Sequence, residues 1–417
     1  METYKNKPKI IKTYSTLLRN NSYPNQRKLC ALMDFWVDIF FIAYKNNLEL
    51  PKNCMNIYGE LLGRYSPKTN QNSTEVIVKS NVKSILKSFI HYLPIPYGVL
   101  LGGVRKKWDK YYYRITLQKI KRIKWSINNQ FKNDFLDDVK KHFNDDLFKQ
   151  FKLVLSDKFF IHLINLKGFP RKLFGASDNL FKEEYCHLLF VKKELNFIGI
   201  QHGGCTIEYA QNRMDEYDQN ISDKVMYWGL GKENIKQNRF KVNADPFGII
   251  KRFYLIEMVK PNVILNEILG GFEDIFMESE NKRISIFSNK SIGIIKHPRS
   301  MEKNYSAYSA AVFISDITVP DQKQSLFIID VPSQTFMYKV IYENLPFLMY
   351  INRDWHKWFT SNYSSFLEYL NEQKVLFYWD QEEEFLSYLK KIKESGKMFI
   401  SSNNIISKYL ESNNKLL

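Results

Sequence analysis

The stretch LFIIDVPSQTFMYKVIYENLPFLMY, Leu326 to Tyr350, decides the fold class. Residues 326–329 are apolar without a break and stop at Asp330, as a buried parallel strand does when both its faces are covered. Ser333, Gln334 and Thr335 then occupy the N-cap region of a helix expected over residues 335–344. After Pro346, residues 347–351 form the next apolar run. Strand, helix and strand in this order are the unit of a parallel sheet.

Further units lie on either side. RFYLIEMV, residues 252–259, reads as a strand, and residues 263–280 as mostly helix despite Gly270 and Gly271. Residues 291–295 are a strand that ends at Lys296, His297, Pro298 and Arg299. Residues 310–314 are a strand or the end of a helix, followed by Ser315 and Asp316. Residues 361–400 are largely helical in character, and the polar tail from residue 401 is expected to be loose. Alternating strands and helices predict an α/β chain with a doubly wound parallel sheet. Two domains are expected, 1–235 and 236–400, with 401–417 as the tail.

The first half is mixed. Residues 29–43 have the spacing of a buried helix, and residues 131–159 read as charged amphipathic helices. A loop is expected at 66–75 and a helix at 82–93 that stops before Pro94. LNFIGIQHGGCTIEY, residues 195–209, repeats the strand-to-polar switch: an apolar run ends at Gln201, His202, Gly203 and Gly204. Paired glycines let backbone N–H groups approach a ligand, and His202 can move a proton near neutral pH. The plain alternative is a glycine turn with a partly buried histidine. Residues 208–224, with Asp215, Glu216 and Asp218, read as a loop or surface helix, and 225–228 as another strand.

Composition narrows the class. The 417 residues are 44% hydrophobic and 25% charged, those of an ordinary folded protein. The net charge of +17 calls for an anionic partner: nucleic acid, an anionic membrane face, or a polyanionic substrate such as an activated sugar or acidic glycan. Nine of the Lys and Arg residues fall within 101–130, interleaved with Trp108, Tyr111, Tyr112, Tyr113 and Trp125. That run is either a solvated helix face or a peripheral contact with anionic lipid. It carries no RRM, zinc-finger or helix-turn-helix signature, so no specific nucleic acid is expected. Four widely spaced cysteines form no metal-like pair and point to a reducing, cytoplasmic compartment. The N-terminal stretch METYKNKPKIIKTYSTLL lacks the apolar core of a signal peptide. Residues 31–44 are apolar but short, and they contain Asp34 and Asp38, whereas a spanning helix needs about 20 apolar residues.

Three strand-ending loops, QHGG, KHPR and DVPSQT, would set basic and hydroxyl donors around one phosphorylated ligand. Singly, KHPR is also a surface basic turn and DVPSQT an ordinary helix cap. In order and spacing over residues 197–348 they resemble surface-carbohydrate transferases of the GT-B glycosyltransferase type, above all the QHGG-containing transferases of bacterial polysaccharide loci. CMP-sugar-using Kdo- and sialyltransferases and CDP-glycerol polymer transferases are similar more distantly.

The resemblance implies two Rossmann-like domains, an acceptor-side domain over 1–235 and a nucleotide-donor-binding domain over 236–400, with the active site in a cleft between them. It implies a nucleotide-sugar donor and a carbohydrate or lipid-linked glycan acceptor. His297 and Pro298, flanked by Lys296 and Arg299, would contact the donor nucleotide. Ser333, Gln334 and Thr335 would hold its phosphate. His202, supported by Gln201, Gly203 and Gly204, matches a His-Gly pair at the reaction centre of the CDP-glycerol group; Asp215, Glu216 and Asp218 are alternative acid/base groups. Where many GT-B proteins carry a ribose-binding glutamate early in the helix after the phosphate loop, this chain has Tyr338 and Lys339, and the first acid is Glu343. Lys339 would suit a further phosphate or a sugar carboxylate. No DxD pattern or close His/Asp cluster points to a divalent ion, and no cofactor is expected.

Overall fold

The computed structural model describes residues 3–65, 126–162, 172–175, 189, 196–200, 208–226, 249–258, 263–287, 292–297, 305–306, 308–313, 316–332, 337, 340 and 345–398. The chain forms two compact units. The first holds Met1–Leu61, Asn70–Ile200 and Tyr217–Val225; the second holds Leu62–Thr69, Gln201–Glu216 and Met226–Leu417.

In the first unit, α1 (Lys7–Asn20) buries Ile10, Tyr14 and Leu18, one stripe at helical spacing. α2 (Gln26–Lys45) is buried on nearly every side from Leu29 to Ala43, because its sequence has almost no polar face there. The short α3 (Ile57–Tyr65) follows. Asn128 caps α4 (Asn129–Lys140), its side chain accepting from the Phe131 N–H at 3.0 Å. Asn144 does the same for α5 (Asp145–Val154) through Leu147 at 2.8 Å. Trp36 packs edge-on against Phe151 and Phe159, with ring centroids 5.6 and 5.8 Å apart. Much of the aromatic content therefore sits in a core rather than in a stacking surface. Strands β1 (Lys172–Gly175), β2 (Asn196–Ile200) and β3 (Lys224–Met226) form a three-stranded sheet in that order, with β1 and β2 parallel. Helix α6 (Arg213–Ile221) lies between β2 and β3 in the chain.

The second unit is built on β4 (Arg252–Ile256), β5 (Gly293–Ile295), β6 (Ala311–Val312), β7 (Ser325–Ile329), which the short helix α9 (Val319–Lys323) precedes, β8 (Phe347–Ile351) and β9 (Leu376–Tyr378). They form one sheet in the order β6-β5-β4-β7-β8-β9, and every neighbouring pair is parallel. The chain winds from β4 toward one edge, returns to the other side of β4 at β7, and winds toward the opposite edge. This is the strand order of a doubly wound sheet, with its switch point between β4 and β7.

Ile286 and Phe287 of α8 (Glu273–Phe287) and Phe385, Leu389 and Ile392 of α11 (Glu382–Ser395) cover one face. They pack on Leu255, Ile294, Leu326, Ile328, Leu348 and Phe377. Each such side chain contributes about 1.5–3 kcal/mol by leaving water. The alternate residues of β7 and β8 are buried too, which accounts for their unbroken apolar sequences. Gly293 faces the Tyr254 ring on the neighbouring strand, and a Cβ there would come within 2.7 Å of it.

Two elements depart from the sequence expectation. The helix expected over 263–280 is two helices, α7 (Val263–Ile268) and α8, because Gly270 and Gly271 take φ of 91° and 82° between them. The helical stretch expected over 361–400 is interrupted by β9, between α10 (Ser361–Glu372) and α11. Three apolar residues are too few for periodicity to separate strand from helix. The loop at 66–75, the helix at 82–93, the tail from 401 and most of the basic run at 101–130 lie outside the described residues. Among the described residues no helix is long and apolar enough to cross a membrane.

Candidate functional site at the carboxyl edge of the parallel sheet

Ligands of open α/β sheets bind beyond the carboxyl ends of the strands, at the switch point. Here the polar residues that follow β4 and β5 meet, and the residue that follows β7 pairs with a helix.

Glu257 is the first residue past β4 and is only 3% exposed. One of its oxygens, Oε2, accepts from the His297 backbone N–H at 3.1 Å and from the Tyr305 hydroxyl at 2.8 Å. The Glu257 N–H in turn donates to the Ile295 carbonyl at 3.0 Å. This buried carboxylate pins the exit of β5. The half-buried Lys296 has its backbone N–H bonded to the Val312 carbonyl at 2.9 Å. Its ammonium lies over the Phe313 ring at 4.6 Å and the Tyr305 ring at 5.9 Å. Among the described residues Lys296 has no carboxylate partner.

Asp330, the first residue past β7, is buried against Arg283 of α8, and each is 3% exposed. Arg283 Nε donates to Asp330 Oδ2 in a close ion pair. Among the described residues Arg283 Nη2 and Asp330 Oδ1 are buried without a hydrogen-bond partner. Burial pushes the Asp330 carboxyl up from its usual range, and the Arg283 guanidinium opposes that push. Burial likewise raises the Tyr308 phenol; Arg283 works against the rise, and the charges of Asp330, Glu257 and Glu280 add to it.

A third strand exit carries its own network. The turn Arg353–Lys357 follows β8. There His356 Nε2 and the Tyr378 hydroxyl are 2.7 Å apart, and the Arg353 guanidinium sits 3.8 Å from the centre of the Tyr378 ring. Glu368 reaches both Arg353, at 3.2 Å, and His356, at 3.5 Å. Burial holds the His356 pKa below the ordinary imidazole value.

The segment just downstream of QHGG is anchored within the second unit. Tyr209 bridges antiparallel to Phe359; the Ala210 N–H donates to the Trp358 carbonyl, and the Thr360 N–H to the Glu208 carbonyl, both at 2.8 Å. The Tyr209 ring packs on Phe272 at 5.3 Å and Phe359 at 5.1 Å. Phe272 and Thr360 immediately precede α8 and α10, so this segment lies at the starts of two helices of the parallel sheet's own unit.

Of the sequence-derived site residues, Lys296 and His297 stand at the carboxyl end of β5 and share one neighbourhood with Glu257 and Tyr305. Asp215 and Glu216 lie in the first turn of α6, where Asn212 caps the helix by accepting from the Met214 and Asp215 N–H groups at 3.0 and 3.2 Å. Acids in that position complement the helix dipole. Asp218 is buried on the same helix. Gln201, His202, Gly203, Gly204, Pro298, Arg299, Ser333, Gln334, Thr335 and Lys339 lie outside the described residues.

Three participants escaped the sequence reading. Glu257 had a local signal, a lone acid inside the apolar run 252–259. Arg283 had none, because one arginine on a charged helix looks like any other. Asp330 was legible only as the end of a strand. Among the described residues no group of three or more His, Cys, Asp or Glu is arranged to hold a metal ion. No protein-family model, curated protein or solved structure matches this chain.

Proposed function

We propose that this protein is a glycosyltransferase that takes a nucleotide-activated sugar, with a CMP-sugar favoured, and serves surface polysaccharide or glycan assembly. The observation that carries the reading is Lys296. It is a cation without a carboxylate partner among the described residues, at a strand's carboxyl end beside the switch point of a doubly wound sheet.

In this reading the two units form a GT-B-like pair. Lys296, His297, Pro298 and Arg299 bind the donor nucleotide, and Ser333, Gln334, Thr335 and Lys339 bind its phosphates. The leaving nucleotide phosphate gains negative charge, which lysine, arginine and a helix N-terminus stabilise without a metal. His202, with Gln201, Gly203 and Gly204 shaping its loop, takes the proton of the acceptor hydroxyl. In-line attack inverts the anomeric centre. Asp215, Glu216 and Asp218 are the alternative bases. The acceptor is a carbohydrate or lipid-linked glycan, reached from the cytoplasmic face of a membrane through the basic run at 101–130.

A thermal-shift series with CMP, CDP, UDP and GDP tests the donor site. The expected result is stabilisation by cytidine nucleotides that weakens about 10–100-fold in apparent affinity in Lys296→Met, the worth of a charge-assisted hydrogen bond. No response to any nucleotide overturns the reading and leaves a basic module that binds acidic glycan or membrane. Transfer of glycerol phosphate from CDP-glycerol, in place of a sugar, would move the protein to the phosphotransferase class. His202→Ala is expected to abolish turnover with folding retained.

A further inference from the structure

We propose that the buried Arg283–Asp330 pair is a positioning element for the exit of β7, maintained at a cost in stability; its functional meaning rests on the phosphate-loop reading of residues 333–335. The pair is a poor stabiliser as it stands. Two charges removed from water cost several kcal/mol each, and their attraction offsets this only when the remaining donors and acceptors are satisfied. An arginine and a carboxylate can satisfy each other through two parallel hydrogen bonds. Here Nε and Oδ2 meet, while among the described residues Nη2 and Oδ1 are buried without a side-chain partner. Apolar side chains of similar volume would fill the same space at lower cost.

What the pair does supply is direction. Arg283 belongs to a 15-residue helix, a rigid base, and Asp330 is the first residue after β7. Val331 and Pro332, buried next to it, carry the chain toward the hydroxyl-bearing residues. Glu257 has the same part at β5, fixing the His297 backbone from the end of β4. The exits of β5 and β7, the strands on either side of β4, are thus each bonded by a buried charged side chain. Strand exits set by hydrogen-bonded charge have one geometry, whereas an apolar contact tolerates sliding.

The test compares wild type with the double variant Arg283→Met/Asp330→Leu and with Arg283→Lys. The double variant is expected to melt at or above the wild-type temperature. Its Val331 amide should exchange hydrogen about tenfold faster, and its affinity for CMP or CDP should fall. Arg283→Lys keeps the charge but moves the donor away from the Nε position, and should also speed exchange at Val331. Wild-type exchange at Val331 in either folded variant overturns the proposal. Faster exchange in a protein whose wild type binds no nucleotide would refute the glycosyltransferase reading and leave the positioning role standing.

Discussion

Each unit buries a carboxylate against a cation, and the two do it differently. In the first unit, Asp38 of α2 meets Lys7 at 2.7 Å, and the same ammonium is shared with Asp34 at 2.8 Å. Asp34 is 42% exposed, so that cluster keeps one side in water. In the second unit, Arg283 and Asp330 are both sealed, and among the described residues one atom of each has no hydrogen-bond partner. The helical core thus resolves its charge near the surface, where screening makes both the gain and the loss small. The parallel sheet carries its charge inside, at the one edge where a doubly wound fold binds ligands. A buried polar group with unmet hydrogen bonds is tolerated where geometry matters more than stability.

Single variants sharpen this contrast. Arg283→Ala leaves Asp330 buried and unpaired and should destabilise by about 3–5 kcal/mol in urea unfolding. Trp36→Ala should cost a similar ~3–5 kcal/mol by opening a cavity in the helical core, but without altering exchange at the β7 exit. Equal effects of the two on that exit would break the distinction between the regions. Gly293→Ala forces a methyl against the Tyr254 ring and should cost about 1–3 kcal/mol. Lys7→Ala should cost only about 1–2 kcal/mol, because the ammonium and its second partner, Asp34, are partly hydrated. A loss as large as that of Arg283→Ala would show the two pairs to be equivalent.

The smallest effect concerns pH. His356 faces the Tyr378 hydroxyl, Glu368 and Arg353, and its folded pKa lies below the ordinary value of 6.5. The fold therefore favours neutral imidazole. Its contribution is complete above pH 6.5 and declines as pH falls from there through the lowered folded value. Melting temperatures measured from pH 8 to 5 should fall less steeply for His356→Gln than for wild type; an unchanged slope would remove His356 as the cause.

The parts legible in advance were local. The strands at 252–256, 325–329 and 347–351 announced themselves as apolar runs, and α2 by apolar residues at nearly every turn. Lys296 and His297 stood out because polarity switches abruptly at a strand's end. The glycine break before α8 and the three residues of β9 were too short to leave a periodic signal.

By itself, then, the sequence determined which segments are buried, because burial selects apolar side chains at a spacing set by the backbone. It also determined where those segments end and the polar chemistry begins. The tertiary structure alone decided which ends meet. Glu257 reaches His297 across 40 residues, and Arg283 reaches Asp330 across 47. Both contacts depend on strand order, with β5 and β7 on opposite sides of β4. Strand order is settled by winding and by helix packing over the whole sheet, and no window of sequence records it.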